Sequence, residues 1–158
     1  MSFASLIAVS RHSPVKFFTG GVFDEVVVLV PRADSSLLDE FIKGLRLIDG
    51  KCGIAAVHDC TQPFADGEKP GALITSARLN ISFLCKKVVD TLKIAENENI
   101  TGTLDRNSFR ILESAAAGEI SKLKPYLERL AKEGVHCNSI AEIALGLLDL
   151  GCDIRAVE

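Results

Sequence analysis

The run Glu25-Val26-Val27-Val28-Leu29-Val30 constrains the fold more than any other stretch of the chain. Consecutive β-branched residues lose rotamer freedom in a helix and fit a pleated surface. A run without polar alternation suits a strand covered on both faces. The reading is a central parallel strand. Pro31-Arg32 ends it, and Asp34, Ser35 and Ser36 can each cap the next segment, where Leu37, Leu38, Phe41, Ile42, Leu45 and Ile48 recur at helical spacing. Asp49-Gly50 stops that helix, and Gly53-Ile54-Ala55-Ala56-Val57 supplies a second apolar strand before His58 and Asp59. Strand, amphipathic helix and strand in so short a span make a βαβ unit.

The expected class is α/β: a short parallel or mixed sheet holding the βαβ unit, followed by a helical C-terminal region. Thr61–Gly71 carries turn chemistry (Pro63, Asp66, Gly67, Pro70, Gly71), which divides an α/β core over 1–71 from a helical region over 72–158 packed on it. In that region Leu79, Phe83, Leu84, Val88 and Leu92 share one helical face, which fades in Glu96-Asn97-Glu98-Asn99. Further helices are predicted over Asn107–Ala117, Ser121–Lys132 and Ser139–Leu150. The last has a Ser139/Glu142 capping box and a Gly151 stop. Ser5–Val9 reads equally well as a strand or as part of a helix broken at Pro14. Fragments near 113–119 and 147–154 look like pieces of ankyrin repeats, but the fixed period and signature of an array are absent.

Lys plus Arg number 18 against 21 Asp plus Glu in 158 residues, a net charge of −3 that argues against a general grip on nucleic-acid phosphate. No apolar run reaches the roughly 18 residues of a membrane span, and the N-terminus lacks the basic region and cleavage site of a signal peptide, so a cytoplasmic protein is expected. Ligands of open α/β sheets bind beyond the carboxyl ends of parallel strands. Position alone therefore selects Arg32, Asp34, His58 and Asp59 as a charged binding site, with His58 a possible acid or base and Asp59 an orienting group or metal ligand. The competing reading makes Asp34 a helix cap and the others solvated loop ends. Cys52, His58 and Cys60 are zinc-type ligands at a spacing that matches no knuckle, and a fourth would have to come from Asp59, Cys85, or His136 with Cys137. The odd count of five cysteines without framework spacing points to reduced thiols and not disulfides, buried thiols account for Cys52, Cys85 and Cys152 more simply, and neither a metal nor a cofactor is expected. The phosphate-cradling patterns GxGxxG and GxxxxGK[ST] are absent, as are GxSxG and HExxH.

One longer pattern carries a family resemblance. Val22-Phe23-Asp24-Glu25-Val26-Val27-Val28-Leu29-Val30-Pro31, a helix, Cys52-Gly53-Ile54-Ala55-Ala56-Val57, a turn-rich segment and Ala77-Arg78-Leu79-Asn80 resemble the C-terminal half of small bacterial restriction-endonuclease-like proteins of the PD-(D/E)xK superfamily, over about residues 2 to 130. Such nucleases hold Mg²⁺ with an Asp and a Glu-x-Lys placed before the matched region. No (D/E)-x-K precedes Val22, so no catalytic residue carries over. The resemblance implies a non-catalytic nuclease-like accessory or regulatory domain, binding nucleic acid or a partner protein in defence or DNA processing, and not an enzyme. Two alternatives stand beside it: an interaction or dimerisation module with an unknown partner or a second copy, and a small enzyme with its site at the strand ends. No membrane association is expected from either.

Overall fold

The computed structural model describes residues 3–10, 21–61 and 69–158. Residues 3–9, open between strand and helix in the sequence, form strand β1 (Phe3–Val9); Pro14 lies outside the described residues. There follow β2 (Glu25–Leu29), α1 (Leu37–Leu47), β3 (Cys52–Asp59), α2 (Lys69–Ala77), β4 (Ile81–Lys87), β5 (Leu92–Glu96), β6 (Asn99–Leu104), β7 (Arg110–Glu119), α3 (Ile120–Lys132), α4 (Ile140–Asp149) and β8 (Ile154–Val157). Six strands make one sheet in the order β2-β1-β3-β7-β4-β8. β1 lies parallel to both β2 and β3, β8 lies parallel to β4, and β7 runs antiparallel between β3 and β4. The mixed α/β class is as expected, and β2, α1 and β3 form the βαβ unit with β1 inserted between its strands.

Helices α1, α3 and α4 cover one face of the sheet and α2 the other. Ile7, Ala55, Val57 and Phe83 pack under the three helices, whereas Leu6, Ile54, Ala56 and Ala117 pack under Leu73, Ile74 and Ala77 of α2. α1 begins with a full capping box: the Ser36 hydroxyl accepts from the Asp39 backbone N–H, and the Asp39 carboxylate accepts from the Ser36 N–H. α4 begins at Ser139 and ends at Gly151, whose φ of +75° only glycine adopts cheaply; Gly151 and Cys152 then return hydrogen bonds to Leu148 and Leu147.

Three expectations are corrected. The Val26–Val30 strand is parallel but is the outer strand of the sheet, with Val26, Val28 and Val30 exposed, so only Val27 and Leu29 face the helices. The covered centre is β1, β3 and β7, whose alanines let helices approach from both sides. Second, the predicted helix through Leu79, Phe83 and Leu92 is strand β4 followed by the β5–β6 hairpin. Ile81–Cys85 is buried on both faces, and the polar run Glu96–Asn99 is the hairpin turn, with Asn97 and Glu98 at φ +46° and +69°. Third, Asn107–Ala117 is largely strand β7, not helix: its alanines favour helix in isolation, but sheet pairing to both β3 and β4 outweighs that local preference. The turn-rich stretch 61–71 falls mostly outside the described residues, and its end, Lys69–Gly71, is the first turn of α2.

Candidate functional site

The parallel strands β1, β2 and β3 end together, and backbone hydrogen bonds continue past them: Ser10 N–H donates to the Leu29 carbonyl and Cys60 N–H to the Val9 carbonyl, both at 2.9 Å. Beyond these ends opens a pocket of about 760 Å³, walled by Asp34, Ser35 and Ser36 before α1, Asp59 and Thr61 after β3, and His136, Asn138 and Ser139 before α4. Two smaller cavities adjoin it: one of about 30 Å³ against Val9, Pro31 and Leu37, and one of about 110 Å³ against Glu113, Ser114 and Ala141. Asp59 borders all three. Its Oδ1 accepts from the Thr61 N–H at 3.1 Å, a local turn that holds the carboxylate at the strand end.

Two helix N-termini meet this pocket. Ser36 caps α1 and Ser139 caps α4, and the Leu38 N–H donates to the Cys137 carbonyl at 3.1 Å, which ties the two helix starts together. Partial positive charge from both helices therefore falls on one edge of the sheet. Asp39 and Glu40 offset part of it at α1, and Glu142 at α4.

Of the residues selected from sequence, Asp34 and Asp59 line this pocket. His58 does not. Successive strand residues point to opposite faces; Asp59 follows Ala55 and Val57 toward α1 and α4, while His58 follows Ile54 and Ala56 toward α2. There the ring is buried, with Nδ1 3.5 Å from the Cys60 sulfur. Arg32 is exposed, and its carbonyl accepts from the Ser35 N–H. The zinc-type grouping does not assemble: Cys52 and Cys60 lie at opposite ends of β3, and among the described residues no three His, Cys, Asp or Glu side chains gather to hold an ion. Burial raises the Cys60 thiol to about 11, with the Asp59 charge adding to it. Sequence reasoning missed His136, Asn138 and Ser139 as pocket residues. Their one local signal is the α4 capping box, which marks a helix start but not what it faces.

Farther out on the same sheet end, Lys87, Arg106 and Arg110 surround a pocket of about 350 Å³ together with Val88, Val89 and Asn107. The Arg106 guanidinium donates to the Val89 carbonyl, and Glu158 pairs with both Arg110 and Lys87. Lys87 sits opposite Arg110 in the β4–β7 pairing, five residues along β7 from Ala115, which is opposite His58. At 3.3 Å per residue the two sites stand roughly 17 Å apart along the strand.

No family model matches the sequence. Over 83 residues the chain is 32% identical to the 2-C-methyl-D-erythritol 4-phosphate cytidylyltransferase of Bacillus velezensis, a match that takes in 52% of this chain and 35% of that protein. The chain thus spans about a third of the length of the curated relative it matches. Solved structures share the fold at lower identity. The 4-diphosphocytidyl-2C-methyl-D-erythritol synthase of Anaerococcus prevotii superposes with a TM-score of 0.74 at 16% identity, covering 99% of this chain and 88% of that one. The 2-C-methyl-D-erythritol 4-phosphate cytidylyltransferases of Thermus thermophilus (TM-score 0.67, 17% identity, 100% and 89% covered) and Francisella tularensis (0.68, 14%, 99% and 90%) superpose as well. These likenesses overturn the restriction-endonuclease resemblance, and with it the reading as a nuclease-like, regulatory, non-catalytic domain: the proteins this chain is similar to are enzymes of nucleotidyl transfer. That resemblance rests on short elements, the valine-rich strand, a helix, the glycine-isoleucine strand, a turn-rich segment and Ala77-Arg78-Leu79-Asn80, of a kind that many α/β sheets share. Among the described residues no helix is long and apolar enough to cross a membrane.

Proposed function

We propose that the chain transfers a cytidylyl group from a cytidine nucleotide to the phosphate of a small polyol phosphate of the methylerythritol type. One observation carries this reading: three adjoining cavities converge on Asp59 at the carboxyl end of the parallel strands, in a fold shared with cytidylyltransferases. The local identity to a cytidylyltransferase supports it. A pocket of about 760 Å³ lies within the size range of small-ligand sites.

In such a transfer an oxygen of the acceptor phosphate attacks the α-phosphorus of cytidine triphosphate. The bond from that phosphorus to the bridging oxygen breaks, and diphosphate leaves with the electron pair. Little covalent chemistry falls to the protein, whose work is to align nucleophile and leaving group and to offset charge. With no GxGxxG loop in the sequence, the described groups suited to phosphate are the N-terminal turn of α4 beside Asp59 and the cations Lys87, Arg106 and Arg110. We assign both the nucleotide and the acceptor phosphate to the Asp59 pocket, because the attacking oxygen must touch the α-phosphorus and the basic pocket stands roughly 17 Å away along the strand. A divalent ion carried by nucleotide phosphates needs only one or two protein carboxylates, and the donor set here, Asp59 with Asp34 on the same pocket, fits that role and not a closed protein cage. Bound there, the ion would neutralise charge on the reacting phosphates.

The partner we propose is a second copy of the chain, packed on the β5–β6 arm. An isolated two-stranded hairpin is marginal in water, and this one exposes Ile94, Ile100 and Leu104.

The test is turnover with cytidine triphosphate and 2-C-methyl-D-erythritol 4-phosphate, followed by ³¹P NMR. The expected result is release of diphosphate with a new P–O–P linkage joining the cytidylyl and acceptor phosphates, lost in Asp59→Ala. No consumption of the nucleotide, with Mg²⁺ or Mn²⁺ present, would refute the proposal.

A further inference from the structure

Among the described residues, the three cavities at the Asp59 edge are lined by the carboxylates of Asp34, Asp59 and Glu113 and by no lysine or arginine. His136 is the one described lining side chain that can carry positive charge. The backbone around it is fixed from both sides. α3 gives way to a left-handed turn at Gly134, with φ of +76°, where the Gly134 N–H donates to the Ala131 carbonyl at 3.1 Å and the Val135 N–H to the Leu130 carbonyl at 3.0 Å. Just beyond His136, the Cys137 carbonyl accepts the Leu38 N–H, and the Asn138 N–H donates to Glu142 Oε2 at 2.6 Å. The His136 side chain is exposed on the pocket and makes no hydrogen bond or ion pair to another described residue. A ring placed by its backbone and engaged by no neighbour keeps its N–H donors for a ligand.

We infer that His136 binds the outer phosphates of the nucleotide, the diphosphate that leaves, an inference that rests on the reading of this pocket as a nucleotide site. Asp59 borders all three cavities, so the phosphorus under attack belongs beside it. His136 borders the large pocket alone, away from that point, and a nucleotide extends from the reacting phosphorus in two directions: the nucleoside and the diphosphate. The diphosphate suits this wall. Ser139, the cap of α4, follows three residues on, so the ring N–H and the partial positive charge of the helix start act on the same oxygens. When the bond from the α-phosphorus to the bridging oxygen breaks, the electron pair passes to that oxygen and charge grows on the diphosphate. An imidazole donates from one nitrogen when neutral and from both when protonated. Either form offsets that charge in a pocket whose other described ionisable groups, Asp34 and Asp59, are carboxylates.

Calorimetric binding tests this separately from turnover. Inorganic diphosphate with Mg²⁺, cytidine triphosphate with Mg²⁺ and cytidine monophosphate are titrated into wild type, His136→Ala and His136→Lys. Loss of one charged hydrogen bond predicts about tenfold weaker binding of diphosphate and triphosphate to His136→Ala, with the monophosphate within about twofold of wild type. His136→Lys keeps a positive donor and is expected within about threefold of wild type for all three. In steady state His136→Ala raises the KM of cytidine triphosphate by the same factor of about ten and leaves that of the polyol phosphate within about twofold. Wild-type affinity for diphosphate in His136→Ala, an equal loss for the monophosphate, or a lysine variant as weak as the alanine one would overturn the inference, as would a wild-type chain that binds no diphosphate. If diphosphate binding depends on His136 while the wild-type chain turns over no nucleotide, the transfer reading fails alone and the phosphate contact stands.

Discussion

Substituting Gly44 by alanine tests how α1 is seated, and α1 carries the Ser35–Ser36 wall of the pocket. Gly44 faces β1, and a Cβ added there would stand 2.5, 2.8 and 2.9 Å from Cγ2, Cδ1 and Cγ1 of Ile7, which is wholly buried. In an exposed helix interior the change from glycine to alanine is favourable by about 1 kcal/mol. Overpacking a core costs about 1–3 kcal/mol, and the upper part of that range applies because all three contacts fall on one β-branched side chain with a stiff χ1. The net expectation is destabilisation by about 1–2 kcal/mol. In an Ile7→Ala background the three clashing atoms are gone, so the same substitution should stabilise by about 1 kcal/mol, a coupling of roughly 2–3 kcal/mol between the sites. Urea unfolding with a common m-value reads both steps. Stabilisation by Gly44→Ala in the wild-type chain, or an equal effect in both backgrounds, would refute the close approach of α1 to β1.

Two further outcomes are expected. The Cys60 thiol is raised from its ordinary 9.0 to about 11 by burial, with the Asp59 charge adding to it, so the folded chain holds this proton more tightly than the unfolded one. Its contribution to stability is complete below pH 9.0 and is lost as pH rises toward 11; wild type should lose urea resistance over that interval faster than Cys60→Ala, and equal losses would contradict the shift. Arg106→Ala should leave the KM of both cytidine triphosphate and the polyol phosphate within about twofold, because its pocket stands roughly 17 Å along the strand from the Asp59 pocket that holds the reacting phosphates. A rise of about tenfold in either KM in steady-state kinetics, the size expected for a lost charged hydrogen bond, would place that substrate's phosphate at Arg106 and remove the assignment of both phosphates to the Asp59 pocket.

α1, α3, α4 and β3 were legible in the sequence because each buries a stripe or a run bounded by its own stop signals: Ser36 and Asp49-Gly50 around α1, Ser139 and Gly151 around α4. What failed were properties decided by distant parts of the chain. The valines of β2 specify a strand, but its place at the sheet edge follows from β1 inserting between β2 and β3. Ile81–Cys85 and Ser114–Ala117 are short apolar runs whose spacing also fits a helix, and only their pairing with neighbours makes them strands. The Asn97-Glu98 turn was hidden because neither residue is glycine, though both adopt positive φ. At the site, Asp34 and Asp59 could be reached from the rule that ligands lie beyond the carboxyl ends of parallel strands, which needs only the βαβ pattern. Pairing His58 with Asp59 ignored strand alternation, which places adjacent side chains on opposite faces. His136–Ser139 reach the same pocket from about 75 residues beyond Asp59, through a bond between Leu38 and Cys137 that no local pattern encodes.

The proposed transfer requires a nucleotide at the Asp59 edge of the sheet. Titrating the isotope-labelled chain with cytidine triphosphate and Mg²⁺ and mapping the amide NMR shifts tests this directly. Shifts concentrated at residues 33–36, 59–61 and 136–141, and removed by Asp59→Ala, are the predicted result. Perturbations confined to the α2 face, or an unchanged spectrum at saturating nucleotide, would contradict it.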